Sequence, residues 1–125
     1  MKYLSTLIVF IILSYRALFS QQVEAQIDWT KINPLQDSAI LIEYKGIDSP
    51  QGMHNMRMDL FSISDSQPVG LILENHKVKK FILLVRSKDP NKIASIEEEL
   101  KQKFPGPELV LTRKTIAELQ AEFGH

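Results

Sequence analysis

Methionine and histidine concentrate in one short segment of the sequence. The six residues Met53-His54-Asn55-Met56-Arg57-Met58 hold three of the four methionines and one of the three histidines. Thioether sulfur and imidazole nitrogen suit Cu(I), which is a soft ion. The alternating residues around them predict a β-strand over 54–64, in which His54, Met56 and Met58 share one face at steps of about 6.6 Å. Met53, His54, Met56 and Met58 are therefore a candidate Cu(I) site.

The same residues have a structural interpretation. Met56, Met58 and Leu60 on one strand face are typical of a core face in which methionine fills irregular gaps. The Met-x-Met spacing is similar to that of small periplasmic copper chaperones, which place methionine and histidine on β-strands, and this resemblance covers six residues. Core packing and Cu(I) binding both remain open at this point.

The rest of the sequence offers little for catalysis. The chain has no cysteine, which excludes thiol nucleophiles, zinc fingers and disulfide scaffolds. It contains none of the common serine-hydrolase, zinc-protease, dinucleotide-binding or phosphate-loop motifs. His76 falls in a predicted turn and His125 is the last residue. We therefore predict a protein that is not an enzyme and that has no cofactor other than the candidate Cu(I).

The charge balance argues against a nucleic-acid partner. Fifteen basic residues stand against fifteen acidic ones, and the sequence pI is about 6.8. A protein that binds nucleic acid needs a clustered basic surface, and no long run of lysine or arginine is present. We expect a protein partner instead.

The first residues resemble a secretory signal peptide in their pattern. Lys2 is followed by the apolar run 7–13, which Ser14, Tyr15 and Arg16 interrupt before it could span a bilayer. We predict a signal peptide over 1–25 with cleavage after Ala25, and a second possible cleavage site lies before Gln21. The alternative is an uncleaved anchor formed by residues 4–19. A cysteine-free exported chain fits the periplasm or exterior of a bacterium.

The remaining sequence predicts a lead-in over 26–37 and one domain over 38–125. Asp89-Pro90 predicts the start of a helix, and Thr115 with Glu118 forms a capping box that opens a terminal helix. A hairpin is predicted around the turn 75–77, and the unbroken apolar run 81–85 predicts that its second strand is covered on both faces. The predicted strands are 39–44, 54–64, 69–74, 78–86 and 108–112, in the order β-β-β-β-α-β-α. This order predicts an α+β fold, a two-layer sandwich with a mostly antiparallel sheet and helices on one face.

The segment 81–112 resembles part of the extracytoplasmic domains of bacterial ABC permeases of the MacB and FtsX type. The similarity lies in the strand ending Val85-Arg86, the Asp89-Pro90 helix start, the turn Phe104-Pro105-Gly106 and the strand that follows. It implies a module that contacts a protein or a substrate and has no catalytic residues. The chain lacks the further membrane helices of a permease, so no transport role follows.

These observations predict a small exported, non-catalytic binding or interaction domain of the bacterial cell envelope, with another envelope protein as its partner. Two alternatives remain open. The first is a periplasmic Cu(I)-binding protein that uses Met53, His54, Met56 and Met58. The second is a membrane-tethered accessory subunit that keeps residues 4–19 as an anchor.

Overall fold

The computed structural model describes residues 23–47 and 49–124. In this part of the chain, five strands and three α-helices surround two apolar clusters. A single 3₁₀ turn covers Trp29–Lys31. The strands are β1 Val23–Ile27, β2 Ser38–Tyr44, β3 Ser66–Glu74, β4 Lys77–Val85 and β5 Leu109–Thr115. The helices are α1 Pro50–Leu60, α2 Pro90–Lys103 and α3 Ile116–Phe123.

The strands form one sheet in the order β1-β3-β4-β2-β5, and every pair of neighbours is antiparallel. The elements from β2 to β5 follow the chain order βαββαβ, which is the arrangement of ferredoxin-like domains. Strand β1 extends this sheet beside β3, and α3 follows β5. The predicted α+β class with an antiparallel sheet is confirmed.

Helices cover both faces of the sheet. In β4, Phe81, Leu83 and Val85 point to a cluster that includes residues of α1 and α2, whereas Ile82 and Leu84 point to a cluster that includes residues of α3. Because strand side chains alternate between faces, these clusters lie on opposite sides. The prediction that β4 is covered on both faces is confirmed. The prediction of two layers with helices on one face is wrong, since α3 forms a third layer.

The predicted strand over 54–64 is wrong, because α1 occupies this segment. Ser49 caps the helix by accepting a hydrogen bond from the Gly52 N–H at 3.0 Å, and Pro50 occupies its first turn. Met56 and Leu60 are buried at a spacing of four residues, which one helix face provides. A spacing of four also satisfies strand alternation, and for this reason the apolar pattern alone predicted the wrong element.

The succession of the other elements follows the prediction. Strands β2, β3 and β4, helix α2, strand β5 and helix α3 correspond to predicted elements in the predicted order, while α1 occupies the place of the predicted strand 54–64. Strand β1 was not predicted, and it lies upstream of the predicted domain start at residue 38. Trp29 and Ile32 of the predicted lead-in pack against the α3 side of the sheet.

Local capping chemistry fixes the ends of α2 and α3 as predicted. The Asp89 carboxylate accepts a hydrogen bond from the Asn91 N–H at 3.0 Å. Thr115 and Glu118 form the reciprocal pair of bonds of a capping box, each 3.1 Å long. Hydrogen bonding to Thr115 also lowers the pKa of the Glu118 carboxyl. These short-range contacts are encoded within four residues of sequence.

Strand β1 approaches β3 closely at a glycine. Gly70 stands opposite Ile27 in the register, and a Cβ at this position would collide with the backbone carbonyl of Gln26. Ala25 and Ile27 pack against the α3 side of the sheet. The close approach explains why β3 carries a glycine in the middle of a strand.

A buried carboxylate joins the lead-in to the sheet. The Asp37 side chain is 2% exposed, and its Oδ2 accepts from the Asn33 N–H at 2.7 Å and from Arg86 Nη1 at 3.1 Å. Arg86 also donates to the Lys31 carbonyl and to Gln67 Oε1, each at 2.8 Å. The network therefore holds the lead-in, β3 and the end of β4 together.

In the described residues, no helix has both the length and the apolar character needed to cross a membrane. The candidate anchor over 4–19 and most of the predicted signal peptide lie outside the described residues.

Candidate binding face on helix α1

Helix α1 divides the methionine and histidine cluster between two faces. Met56 is 2% exposed and belongs to the core on the α1 and α2 side of the sheet, and Met53 packs partly buried against the same core. His54 is exposed, and Met58 is 54% exposed. The four candidate ligands therefore do not share one face, and the strand geometry that would have aligned them is absent.

Three exposed residues follow one another along the outer face of α1. His54, Met58 and Phe61 are spaced by four and then three residues, which places them on one side of a helix. Phe61 is the C-cap and keeps helical backbone angles, with φ of −66° and ψ of −18°. Its side chain is 51% exposed. We call these three residues the α1 ridge.

The end of α1 is held in place, so the position of Phe61 is well defined. The Phe61 N–H donates to the Met58 carbonyl at 3.2 Å, and the Ser62 hydroxyl donates to the Asp59 carbonyl at 2.6 Å. Ile63, which follows, is 2% exposed and anchors the chain in the core. The ridge thus carries two exposed apolar side chains, Met58 and Phe61, on a packed helix with a well-defined end.

Phe61 was missed by the analysis of the sequence. On a strand, Phe61 lies on the opposite side from Met56 and Met58, so the strand prediction separated it from the cluster. The signal that could have found it is the helical spacing of His54, Met58 and Phe61 together with the Ser49-Pro50 helix start.

The structure brings together two of the four candidate ligands. His54 and Met58 are one helical turn apart on the exposed face, while Met56 is directed into the core. Within residues 23–47 and 49–124, no group of three or more histidine, cysteine, aspartate or glutamate side chains is arranged to hold a metal ion. A metal at α1 would therefore depend on His54 and Met58.

The other histidines are outside α1. His76 is in the exposed turn between β3 and β4, where it and Asn75 have φ values of 64° and 52°. The predicted hairpin turn is confirmed by these left-handed residues. His125 is outside the described residues.

Among the surface cavities of the described residues, two lie outside α1. The larger, of about 470 Å³, runs between α2 and β5 and is lined by Phe104, Leu109 and Leu111 together with Glu97 and Lys101. Glu97 accepts from Arg113 Nε at 3.0 Å, and this bond raises the pKa of the arginine. The second, of about 350 Å³, lies between the 3₁₀ turn and the end of α3 and is lined in part by Trp29 and Ile32.

No protein-family model, curated protein or solved structure matches the chain. The ferredoxin-like arrangement is thus seen only in the order of the elements along the chain and of the strands in the sheet. The resemblance of residues 81–112 to MacB and FtsX type domains stays a prediction.

Proposed function

We propose that the protein is a small non-catalytic binding domain, exported to the bacterial cell envelope, and that it binds another envelope protein through the α1 ridge. The observation that carries the proposal is the exposure of Met58 and Phe61, at 54% and 51%, side by side on a capped helix. Large apolar side chains are usually buried in the core, and neighbouring ones that are exposed mark an interaction surface.

The chemistry of the ridge suits a protein partner. Methionine adapts its shape to an apposed surface. An aromatic ring supplies a large contact area and loses little conformational entropy on binding. Exposed Arg57 and Asp59 lie on either side of the ridge and would form the polar rim of an interface. The ridge would dock into an apolar groove of the partner in the manner of other helix-in-groove complexes.

Charge substitutions on the ridge test this function. Co-purification of the partner from envelope extracts is expected to be lost with Met58→Asp or Phe61→Asp, because a buried unpaired carboxylate weakens an interface by tenfold or more. Leu35→Asp is the matched control, since Leu35 is also apolar, is 84% exposed and lies outside α1, between the 3₁₀ turn and β2. Equal loss with all three variants, or retention by both ridge variants, would contradict binding through the ridge.

The second part of the proposal is export. The bounds of β1 distinguish between the two predicted cleavage sites of the signal peptide. Cleavage after Ala25 would remove three of the five residues of β1, including Ala25, which packs against the sheet. Cleavage before Gln21 leaves β1 whole. We therefore expect N-terminal sequencing of the exported protein to begin at Gln21. A start at Gln26 would contradict the intact strand, and retention of residues 4–19 in a membrane fraction would support the tethered accessory subunit.

A Cu(I)-binding protein is the second candidate, and the placement of His54 and Met58 favours it. These soft ligands are one helical turn apart and exposed to solvent. Anaerobic titration with Cu(I) against a competing chelator is expected to lose binding in Met58→Ala and to keep it in Met56→Ala. Equal affinity of both variants and the wild type would exclude a site at this pair.

A further inference from the structure

Strand β5 is an edge strand with one free side. In the part of the chain that the structure describes, β5 pairs with β2 alone. Its register with β2 continues without a bulge over seven residue pairs, and the strand contains no proline. Bulges and prolines are common devices that prevent an edge from pairing with another strand. The β5 edge therefore remains competent for pairing.

The backbone groups on the free side can be identified from the ladder. The Lys45 N–H donates to the Glu108 carbonyl at 3.1 Å, which makes these two residues a hydrogen-bonded pair. Because hydrogen-bonded and non-hydrogen-bonded pairs alternate along an antiparallel ladder, Val110, Thr112 and Lys114 also direct their N–H and C=O groups toward β2. The corresponding groups of Leu109, Leu111 and Arg113 face away from the sheet.

The charges along β5 are neutralised within the chain. Arg113 pairs with Glu97 of α2, and Lys114 Nζ lies 3.2 Å from Glu122 of α3. Lysine and arginine on an edge strand ordinarily repel a second strand. Here their charges are balanced, so that the edge can approach another edge of the same sequence.

We propose that a second copy of this chain pairs with β5, antiparallel, about a two-fold axis at Leu111. In this register, the outward groups of Leu111 bond those of Leu111 in the other copy, and the outward groups of Leu109 bond those of Arg113. The two sheets become one continuous sheet, and the pairing is closed because a two-fold axis uses the same edge from both copies.

Side-chain complementarity selects this register. With the axis at Leu111, Glu108 of each copy stands opposite Lys114 of the other, and Val110 stands opposite Thr112. Both are non-hydrogen-bonded pairs, in which the side chains are closest. Val110 is 39% exposed in the single chain and would be covered. An axis at Thr112 instead places Lys114 opposite Val110, and an axis at Val110 places Arg113 opposite Pro107.

The groove beside β5 adds apolar surface to the same interface. The cavity of about 470 Å³ between α2 and β5 is lined by Phe104, Leu109 and Leu111. Leu109 and Leu111 carry the outward backbone groups, so the strand of the second copy would lie along the mouth of this cavity. The two-fold axis brings the cavities of both copies together and removes these leucines from water.

Charge exchange across the axis tests the proposal by sedimentation equilibrium on protein purified from cells expressing the complete sequence. The wild type is expected to form a dimer. Glu108→Lys and Lys114→Glu each place like charges at both 108–114 pairs of the dimer. The dissociation constant of the dimer should therefore rise about tenfold. An equimolar mixture of the two variants restores opposite charges at both positions, and we expect a heterodimer of near wild-type affinity. Circular dichroism checks that both variants fold.

Lys88→Glu is the control, because Lys88 is exposed, lies outside β5 and changes the net charge as Lys114→Glu does. It should leave the dissociation constant unchanged. A monomeric wild type at every concentration tested would overturn the proposal. A dimer that both single variants leave intact, or a mixture that stays as weak as the variants alone, would also overturn it.

Discussion

Replacing Asp37 with alanine is expected to lower the free energy of unfolding by about 3 kcal/mol, the lower end of the cost of breaking a buried ion pair. The carboxylate is 2% exposed, and its removal leaves the Asn33 N–H without its acceptor. Arg86 is 42% exposed and can regain water, which is why the higher values are not expected. Urea unfolding followed by circular dichroism measures the change.

As a matched comparison, the loss of unfolding free energy in Asp37→Asn is measured against the loss in Asp65→Asn. Asp65 also forms an ion pair, with Lys92 at 3.2 Å, but the two side chains are 60% and 42% exposed. Asparagine tolerates the left-handed backbone of Asp65, where φ is 62°. Breaking this exposed pair should cost less than about 1 kcal/mol. If Asp37→Asn costs no more than Asp65→Asn, the buried network does not hold the lead-in to the sheet.

Met56→Ala is expected to destabilise the protein by about 2–5 kcal/mol, while Met58→Ala changes stability by less than about 0.5 kcal/mol. Met56 is 2% exposed within the core, and its truncation leaves a cavity. Met58, on the same helix, is 54% exposed. The substitution is the same in both variants, so helix propensity cancels in the comparison.

Urea unfolding of the two variants measures the difference. Similar losses from both would show that Met58 is also packed, as the core-packing interpretation of the strand 54–64 required. The Cu(I) titration of the same two variants is expected to show the reverse order, with Met58→Ala losing binding and Met56→Ala keeping it. Stability and metal binding are then separated between two neighbouring methionines.

Where local chemistry specifies an element, the sequence predicted it well. The Asp89-Pro90 start of α2, the capping box of Thr115 and Glu118, and the turn at Asn75 all depend on contacts within a few residues. The unbroken apolar run 81–85 predicted a strand covered on both faces, because no polar residue marks a solvent side.

The errors arose where the sequence pattern was ambiguous or the contacts are distant. The buried residues Met56 and Leu60 fit both a strand and a helix, and the Ser49-Pro50 helix start was missed. Strand β1 pairs with β3 more than 40 residues later, and nothing local to 23–27 indicates its partner. The third layer was missed for the same reason, because the face of the sheet that α3 covers is determined by tertiary packing.

The candidate site depended directly on the helix or strand assignment of 54–64. A strand aligned His54 with Met56 and Met58, whereas the helix aligns His54 with Met58 and Phe61. Asp37 was not singled out from the sequence either, because its partner Arg86 is 49 residues away. In both cases the sequence shows the residue types, whereas the neighbours of each side chain depend on the fold.

The most direct test of binding through the α1 ridge is photo-crosslinking in living cells with a photoreactive amino acid at position 58 or, as the control, at position 35. Both native side chains are apolar and exposed, at 54% and 84%. The proposal predicts a discrete adduct with one envelope protein from position 58 and none from position 35. The absence of an adduct at 58, or the same adduct from both positions, would contradict it.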